Sequence, residues 1–586
     1  MDKVFFDIEL YKNYLLIMFN HDDRILYYER HDNNASGDFS NLRQLKEYLK
    51  TITLVGFNSD HYDMVILAAV LKGYDHNQLK KLSDHIIINQ SPSWLTYKKF
   101  NLRQVHFDHI DIKEPAPGVM TSLKIYGGRA NAPKLQDLPI EPDAIIDEFD
   151  AQELRTYCVN DLDTTEILYK SIEKQIQLRE QLTEKYGVDL RSKSDAQIAE
   201  AIIRQYLDDK GVSVTKRKTK VKPFKYRVPD WVKFELPEFN EMLERVKSCT
   251  FAVNAKGSVV MPKELNKAVN FYGANYKFGI GGLHSQEKNQ VIIPDENQNF
   301  GEYDIASMYP SIIIEQELYP LHLGREFLEV YSAIKDERLH AKHNGDNVKN
   351  LTYKIVLNGS YGKFGSQYSF LYSPELLIQT TITGQLFLLM AIEKATKAGG
   401  RVVSANTDGI NVIVDKTDHY AVESAILDCE LSAGYEFEYT PYEATYNRDV
   451  NNYIAIKSNG IKGKGAYAIG GLMKNPTNNV CVEAVISHLA DGSDIETWIR
   501  NETDPTKFLT VRNVTGGAVF RGELLGKAIR FYHSTDGDVI TYAKNGNKVP
   551  KSDGCKPMMN LTDLPSDIDY NWYINESLSI LKDLGC

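Results

Sequence analysis

The tightest constraint on this chain is a pair of acids planted inside an apolar run near its start. In VFFDIEL, Asp7 and Glu9 lie two apart in a stretch that reads as a strand, so both side chains point to one face. Charge in such a place is costly unless the fold gathers it around cations. A second strand-like run, TITLVGFN, leads into GFNSDHYD and supplies Asp63, with Asn58 and Tyr62 beside it. YCVNDLD lies in a helical pattern, where Tyr157 and Asp161 are four apart and share a face. Asp60 and Asp163 are the rival acids; Asp63 is preferred because it directly follows an aromatic, and Asp161 for its spacing from Tyr157. Two divalent ions about 4 Å apart would neutralise such acids, activate a water and stabilise the leaving oxygen of a phosphodiester.

A second set of acids lies in the middle of the chain. EYDIASMYPSIII places Asp304 at the end of a strand, followed by backbone at Ser307 and Met308 whose N–H groups can cradle phosphate oxygens. YKIVLNGSYGKFG carries Lys354 and Asn358 four apart on one helical face, with Tyr361 beyond them, and KDERLHAK upstream offers Arg338 and Lys342 at the same spacing. VVSANTDGINVIV reads as a hairpin with Asp408 in its turn and Asn406 two residues earlier.

The chain has 586 residues, enough for at least two cores, with 42% hydrophobic and 25% charged residues as in ordinary globular proteins. Residues 1–190 read as an α/β domain, 191–300 as a connecting region, and 300–450 as alternating strands and long helices. MDKVFFDIEL has no secretory character, and no apolar run reads as a membrane span, so no membrane partner is expected. Six cysteines without a CxxC pair fit a reducing cytoplasm. The net charge of −11 does not exclude a nucleic-acid partner, because the field at a groove depends on where charges sit, and bound metal would reverse the sign of the acids. Basic charge is concentrated in Lys216–Arg227, where a solvated linker and phosphate contact are equally open readings.

Taken in order, these segments resemble family B DNA polymerases with a 3′→5′ proofreading exonuclease. Asp7 and Glu9 match the first exonuclease motif, Asp63 the second, Tyr157 and Asp161 the third. The resemblance implies that the four acids hold two metals, that Tyr157 orients the attacking water, and that Asn58, Tyr62, Ser122 and Leu123 grip the single-stranded 3′ end. EYDIASMYPSIII resembles the first polymerase motif, with Met308 for the usual Leu, and makes Tyr309 the residue that leaves no room for a 2′-hydroxyl. Lys354, Asn358 and Tyr361 match the second motif, with Gly359 for the usual Ser; Arg338 and Lys342 match the basic pair on the partner helix of the fingers. The hairpin resembles the Asp-Thr-Asp motif with Asn406 for the first Asp, and the resemblance assigns the metal to Asp408 with Asp304. GIKGKGAY, with Lys462 and Lys464, and Tyr453 from VNNY resemble the basic segment on the primer–template minor groove. FGIGGLHS, with Gly281 and Gly282, resembles the Gly-rich strand-holding segment between the two modules.

The resemblance implies an α/β and α+β multidomain architecture: an RNase H-like exonuclease domain over 1–190, a connecting region over 191–300, palm over 301–325 and 366–465, fingers over 326–365, and thumb with the C-terminal region over 466–586. Its cofactor would be Mg²⁺, with Mn²⁺ able to substitute, two ions per active site. Its partners would be primer–template DNA and deoxynucleoside triphosphates, with a processivity factor, single-strand-binding protein or helicase as accessories. Only 50 positions separate Asp304 from Lys354 and 46 separate Gly362 from Asp408, which leaves no room for the insertions of protein-primed phage enzymes. A compact bacteriophage or mobile-element enzyme using a nucleic-acid primer in a host cytoplasm is therefore expected. Two alternatives stay open: an exonuclease whose polymerase half survives as a DNA-binding scaffold, prompted by Asn406, and a non-catalytic replication subunit.

Overall fold

The computed structural model describes residues 1–32, 34–218 and 220–586. The chain forms two compact units, each assembled from separate stretches: Met1–Ser194, Gly470–Glu483 and Ile495–Asn575 in the first, and Asp195–Ile469, Ala484–Asp494 and Glu576–Cys586 in the second. Both mix helices with sheets, so the multidomain α/β character expected from the sequence is present.

The first unit is organised by a six-stranded mixed sheet. Its strands are β1 (Asp2–Leu10), β2 (Tyr14–His21), β3 (Arg24–His31), β4 (Asn34–Gly37), β5 (Ile52–Gly56) and β6 (His109–Asp111), ordered β4-β3-β2-β1-β5-β6. Strand β1 runs antiparallel to β2 and parallel to β5, so it lies inside the sheet with both faces covered. Val4, Phe6, Ile8 and Leu10 pack on one face beside the almost wholly buried helix α1 (Asp63–Leu71). Phe5 packs on the other beneath α3 (Glu148–Ser171), which opens on a reciprocal Asp147–Asp150 cap and buries Leu154, Cys158 and Leu162. The two-residue period therefore delivers Asp7 and Glu9 to the α3 side.

The second unit is built on a seven-stranded sheet. Its strands are β7 (Val269–Phe271), β8 (Ala274–Phe278), β9 (Leu283–Ser285), β11 (Gln298–Ile305), β12 (Arg401–Thr407), β13 (Gly409–Asp415) and β14 (Phe437–Pro441), ordered β14-β11-β13-β12-β9-β8-β7. A four-stranded sheet joins β10 (Lys288–Ile292), β15 (Ala444–Asp449), β16 (Asn452–Lys457) and β17 (Gly460–Lys464). Residues 191–300 thus supply three strands of the larger sheet and one of the smaller. Helix α7 (Pro374–Lys397) is the one helix among the described residues long and apolar enough to cross a bilayer by length and composition, a run the sequence reading passes over. Its residues Ile382 and Leu386–Ile392 are buried with Tyr303, Ile305 and Ile410 of the sheet.

Helices α5 (Glu326–His343) and α6 (Asn347–Lys363) form a pair closed by Asn344–Asp346, where Asp346 caps α6 through the Lys349 amide. Gly359 faces the helix Asp195–Asp209: a Cβ there would stand 3.0 Å from the Asp195 carbonyl oxygen and 3.2 Å from Ala199 Cβ. Close helix packing therefore accounts for glycine where the resembling motif carries serine. The basic stretch is anchored by Arg217, bidentate on Glu375 of α7, while Lys216, Lys218, Lys220, Lys222 and Lys225 are exposed.

The C-terminal strands β18 (Thr510–Phe520), β19 (Glu523–Asp538), β20 (Thr541–Tyr542) and β21 (Cys555–Pro557) belong to the first unit. Arg530 on β19 is wholly buried and, among the described residues, its guanidinium bonds backbone carbonyls: Met558 at 2.8 Å, Ala132 at 2.9 Å, Met559 at 3.2 Å and Pro133 at 3.3 Å. It staples the late strands to a segment some four hundred residues earlier. Arg530→Met should lower the unfolding free energy of this unit by about 3 kcal/mol or more, because four carbonyls, two of them in fully buried bonds, lose a charged donor. Urea denaturation followed by hydrogen exchange of residues 510–557 checks this; a loss below about 1 kcal/mol would contradict the staple.

Candidate active sites

The first site lies on the α3 side of the first unit's sheet. Ligand oxygens of Asp7, Glu9 and Asp161 all lie within 4.8 Å of one another. Asp161 reaches them because it sits one turn beyond Tyr157 on the buried face of α3, with Cys158 between them 3.8 Å from Asp7. Asp63 is the first residue of α1, buried, and its Oδ1 has no hydrogen-bond partner among the described residues. Burial and repulsion from Asp7 hold the Asp63 carboxyl well above the usual range; burial and the Asp161 charge do the same to Asp7, and burial, Asp7 and Asp161 to Glu9. Buried acids with an orphaned oxygen suit a hard divalent cation.

Lys124 is the residue the sequence reading missed here. It lies on α2 (Leu123–Arg129), pairs with the Asp161 carboxylate, and stands 4.4 Å from the centre of the Tyr157 ring. Its position directly after Ser122-Leu123 was the available signal. Ser122 caps α2 through the Ile125 amide, and Leu123 opens the helix. Asn58, with a left-handed φ of 61°, accepts from Lys113 at 2.7 Å, and the Tyr62 hydroxyl bonds Ser83 at 2.8 Å. The rivals lie apart from the trio: Asp60 pairs with His109, and Asp163 is exposed.

The second site is formed by three adjoining strands of the seven-stranded sheet. Asp304 on β11 pairs in register with Gly409, so Asp408, in the preceding turn, is set beside it. That turn is tight: Thr407 has φ 61°, the Asp408 amide donates to the Asn406 carbonyl at 2.7 Å, and the Ile305 amide donates to the Asp408 carbonyl at 2.8 Å. A Cβ at Gly409 would stand 3.1 Å from Asp304 Oδ1, so glycine leaves that carboxylate its space. Burial and the Asp408 charge push Asp304 up to about 7; burial also raises Asp408. Two raised carboxylates beside a space that glycine keeps open again suit divalent cations.

Around them the other predicted residues converge unevenly. Ser307 is left-handed at the start of α4 (Met308–Glu315), and its hydroxyl accepts from Arg338 at 2.6 Å. The Met308 side chain is buried against Gly384 of α7. Tyr309 stacks flat on Tyr361, with ring centres 3.8 Å apart, and its hydroxyl donates to the Gly281 carbonyl at 2.6 Å. Gly282 packs against Thr407 with φ 150°, which brings the Gly-rich loop to the turn that holds Asp408. Lys354 and Asn358 are exposed on the same face of α6 as Tyr361, and Lys342 stands 3.9 Å from Glu438. Lys462 and Lys464 lie 5.8 and 5.7 Å from the Tyr453 ring centre.

Two features were not legible beforehand. Asn406 turns its amide to the backbone, donating to the Val450 carbonyl at 2.8 Å and accepting from Thr407 at 3.1 Å. An aspartate there would lack that donor. Glu302, two residues before Asp304 on the same strand face, is bonded by the Tyr442 hydroxyl and by Lys462 at 3.3 Å. The same two-residue parity that marks Asp7 and Glu9 would have marked it.

No family profile and no curated protein matches the chain. Among solved structures, the chain is similar to the family B DNA polymerase from the hyperthermophilic archaeon Pyrobaculum calidifontis, with 14% identity and a TM-score of 0.42 over 99% of this chain and 77% of that one.

Acids whose folded pKa is raised above the unfolded value bind extra protons in the native state, so their contribution to stability is lost as pH rises through the folded value. For Asp304 that window runs from the ordinary carboxylate range near 3.8 to about 7. A divalent ion bound there would replace the lost protons. Mg²⁺ should therefore raise the thermal midpoint of chelator-treated protein more at pH 8 than at pH 5; an equal rise at both would contradict the electrostatic reading.

Proposed function

We propose that the chain is a template-directed DNA polymerase of the family B type, adding deoxynucleotides to a primer 3′ end and proofreading by 3′→5′ exonucleolysis. One observation carries the reading: motifs about a hundred positions apart in the second unit set Asp304, on β11, beside the hairpin turn that holds Asp408, and just after Asp304 in the chain Ser307 is bonded by Arg338 and Tyr309 stacks on Tyr361. A separate acid trio in the first unit supports a second, hydrolytic centre.

Asp304 and Asp408 would hold the polymerase metals, and Asp7, Glu9, Asp63 and Asp161 those of the exonuclease; Mg²⁺, or Mn²⁺ in its place, supplies Lewis-acid stabilisation of phosphoryl oxygens when bound. The chain's own groups do the positioning. Lys354 and Asn358 offer donors to a triphosphate from an exposed helix face, and Arg338 holds Ser307 in the strained conformation that opens α4. Tyr309, locked by its stack on Tyr361 and its bond to Gly281, presents a fixed ring edge to the sugar. In the first site Tyr157 and Lys124 stand over the acids, where they can orient a water. Accessory replication proteins and a compact phage-like setting in a host cytoplasm belong to the same proposal.

Primer extension with and without nucleotides separates the readings: extension, degradation only, or neither. Asp408→Asn should lower single-nucleotide incorporation by about three orders of magnitude while 3′ degradation persists. Asp7→Ala with Glu9→Ala should do the reverse, abolishing removal of a mismatched end. Full incorporation by Asp408→Asn would remove the polymerase assignment, and degradation without extension by the unaltered chain would favour the scaffold alternative. Tyr309→Ala should cut discrimination against ribonucleotides, read as the ratio of kcat/KM values, by about tenfold or more; an unchanged ratio would place the gate elsewhere.

A further inference from the structure

Lys124 in the first centre and Lys462 in the second take different partners. In the first unit Lys124 sits directly on Asp161. In the second, the Lys462 ammonium is ion-paired with Glu302 at 3.3 Å and, among the described residues, with neither Asp304 nor Asp408. Strand β17 pairs Lys462 with Ala455 and Lys464 with Tyr453, so both lysines leave the sheet on one side beside the Tyr453 ring. Glu302 leaves β11 on the same side as Asp304, with only 19% of its side chain exposed, and a hydrogen bond from Tyr442 fixes its carboxylate. Asn406 brings no charge to this face, being a neutral amide, and that amide is engaged with Val450.

We propose that Glu302 is a positioning residue that, with Tyr442, holds the Lys462 ammonium off Asp304 and Asp408 and so keeps those carboxylates available to divalent ions. This inference rests on the polymerase reading for its purpose, though not for its test. A mobile ammonium beside two carboxylates competes with a cation for the same oxygens; a third carboxylate on the same strand face removes the competitor without removing the charge that the DNA backbone meets.

The test is Mn²⁺ binding, measured by electron paramagnetic resonance without DNA or nucleotide, in an Asp7→Ala, Glu9→Ala background that silences the other centre. Glu302→Gln keeps the shape and loses the charge; it should weaken Mn²⁺ binding about tenfold, as should Tyr442→Phe to a smaller extent. Adding Lys462→Met to Glu302→Gln should restore the affinity, because the competitor is gone. Thermal midpoints of the variants exclude simple misfolding. Unchanged affinity in Glu302→Gln, or a double variant as weak as the single, overturns the assignment. Failure of the unaltered chain to extend a primer would sink the polymerase reading while leaving this metal-binding outcome decisive for Glu302.

Discussion

Repulsion between partly buried carboxylates held close together is the interaction around which both units are arranged. Asp7, Glu9 and Asp161 lie within one ion's reach, and Asp408 sits in the hairpin turn beside Asp304 on β11. Such groups cost stability wherever they are ionised without a partner. They persist because rigid elements on every side prevent their separation. Strand β1 cannot slip, since a one-residue shift would send Asp7 and Glu9 into the apolar layer of Phe6 and Ile8. Strand β11 is held equally by β13 and β14, with Tyr303 and Ile305 anchored in the core below α7.

The surroundings also explain where glycine and asparagine replace the residues the motifs lead one to expect. Gly359 belongs to the packing of α6 on the helix Asp195–Asp209, with no direct part in the chemistry. Asn406 belongs to the joint between the β12–β13 hairpin and the turn at Val450, where a donor is needed that a carboxylate lacks. Each departure has a local steric or hydrogen-bonding cause, and neither disturbs Asp304 or Asp408. The lysines show a related division: Lys124 is a resident counter-ion, whereas Lys462 is held at a distance by a partner of its own.

Much of this was legible in the linear chain. The parity of Asp7 with Glu9, the four-residue spacing of Tyr157 with Asp161 and of Lys354 with Asn358, and the strand–turn–strand pattern around Asp408 follow from the strand period of two and the helical period of 3.6. These periods act within one element, so sequence alone determined which side chains share a face and the order in which acidic segments arrive. Tertiary structure alone decided which faces meet. That Lys124 lands on Asp161, that Tyr309 stacks on Tyr361, that the Gly281 carbonyl receives a tyrosine hydroxyl, and that Arg530 ties β19 to Ala132 depend on contacts between segments tens to hundreds of residues apart. No periodicity encodes such contacts, because they arise from the joint packing of whole elements, in which each apolar face finds its cover and the polar groups carried with it take whatever partner then stands opposite.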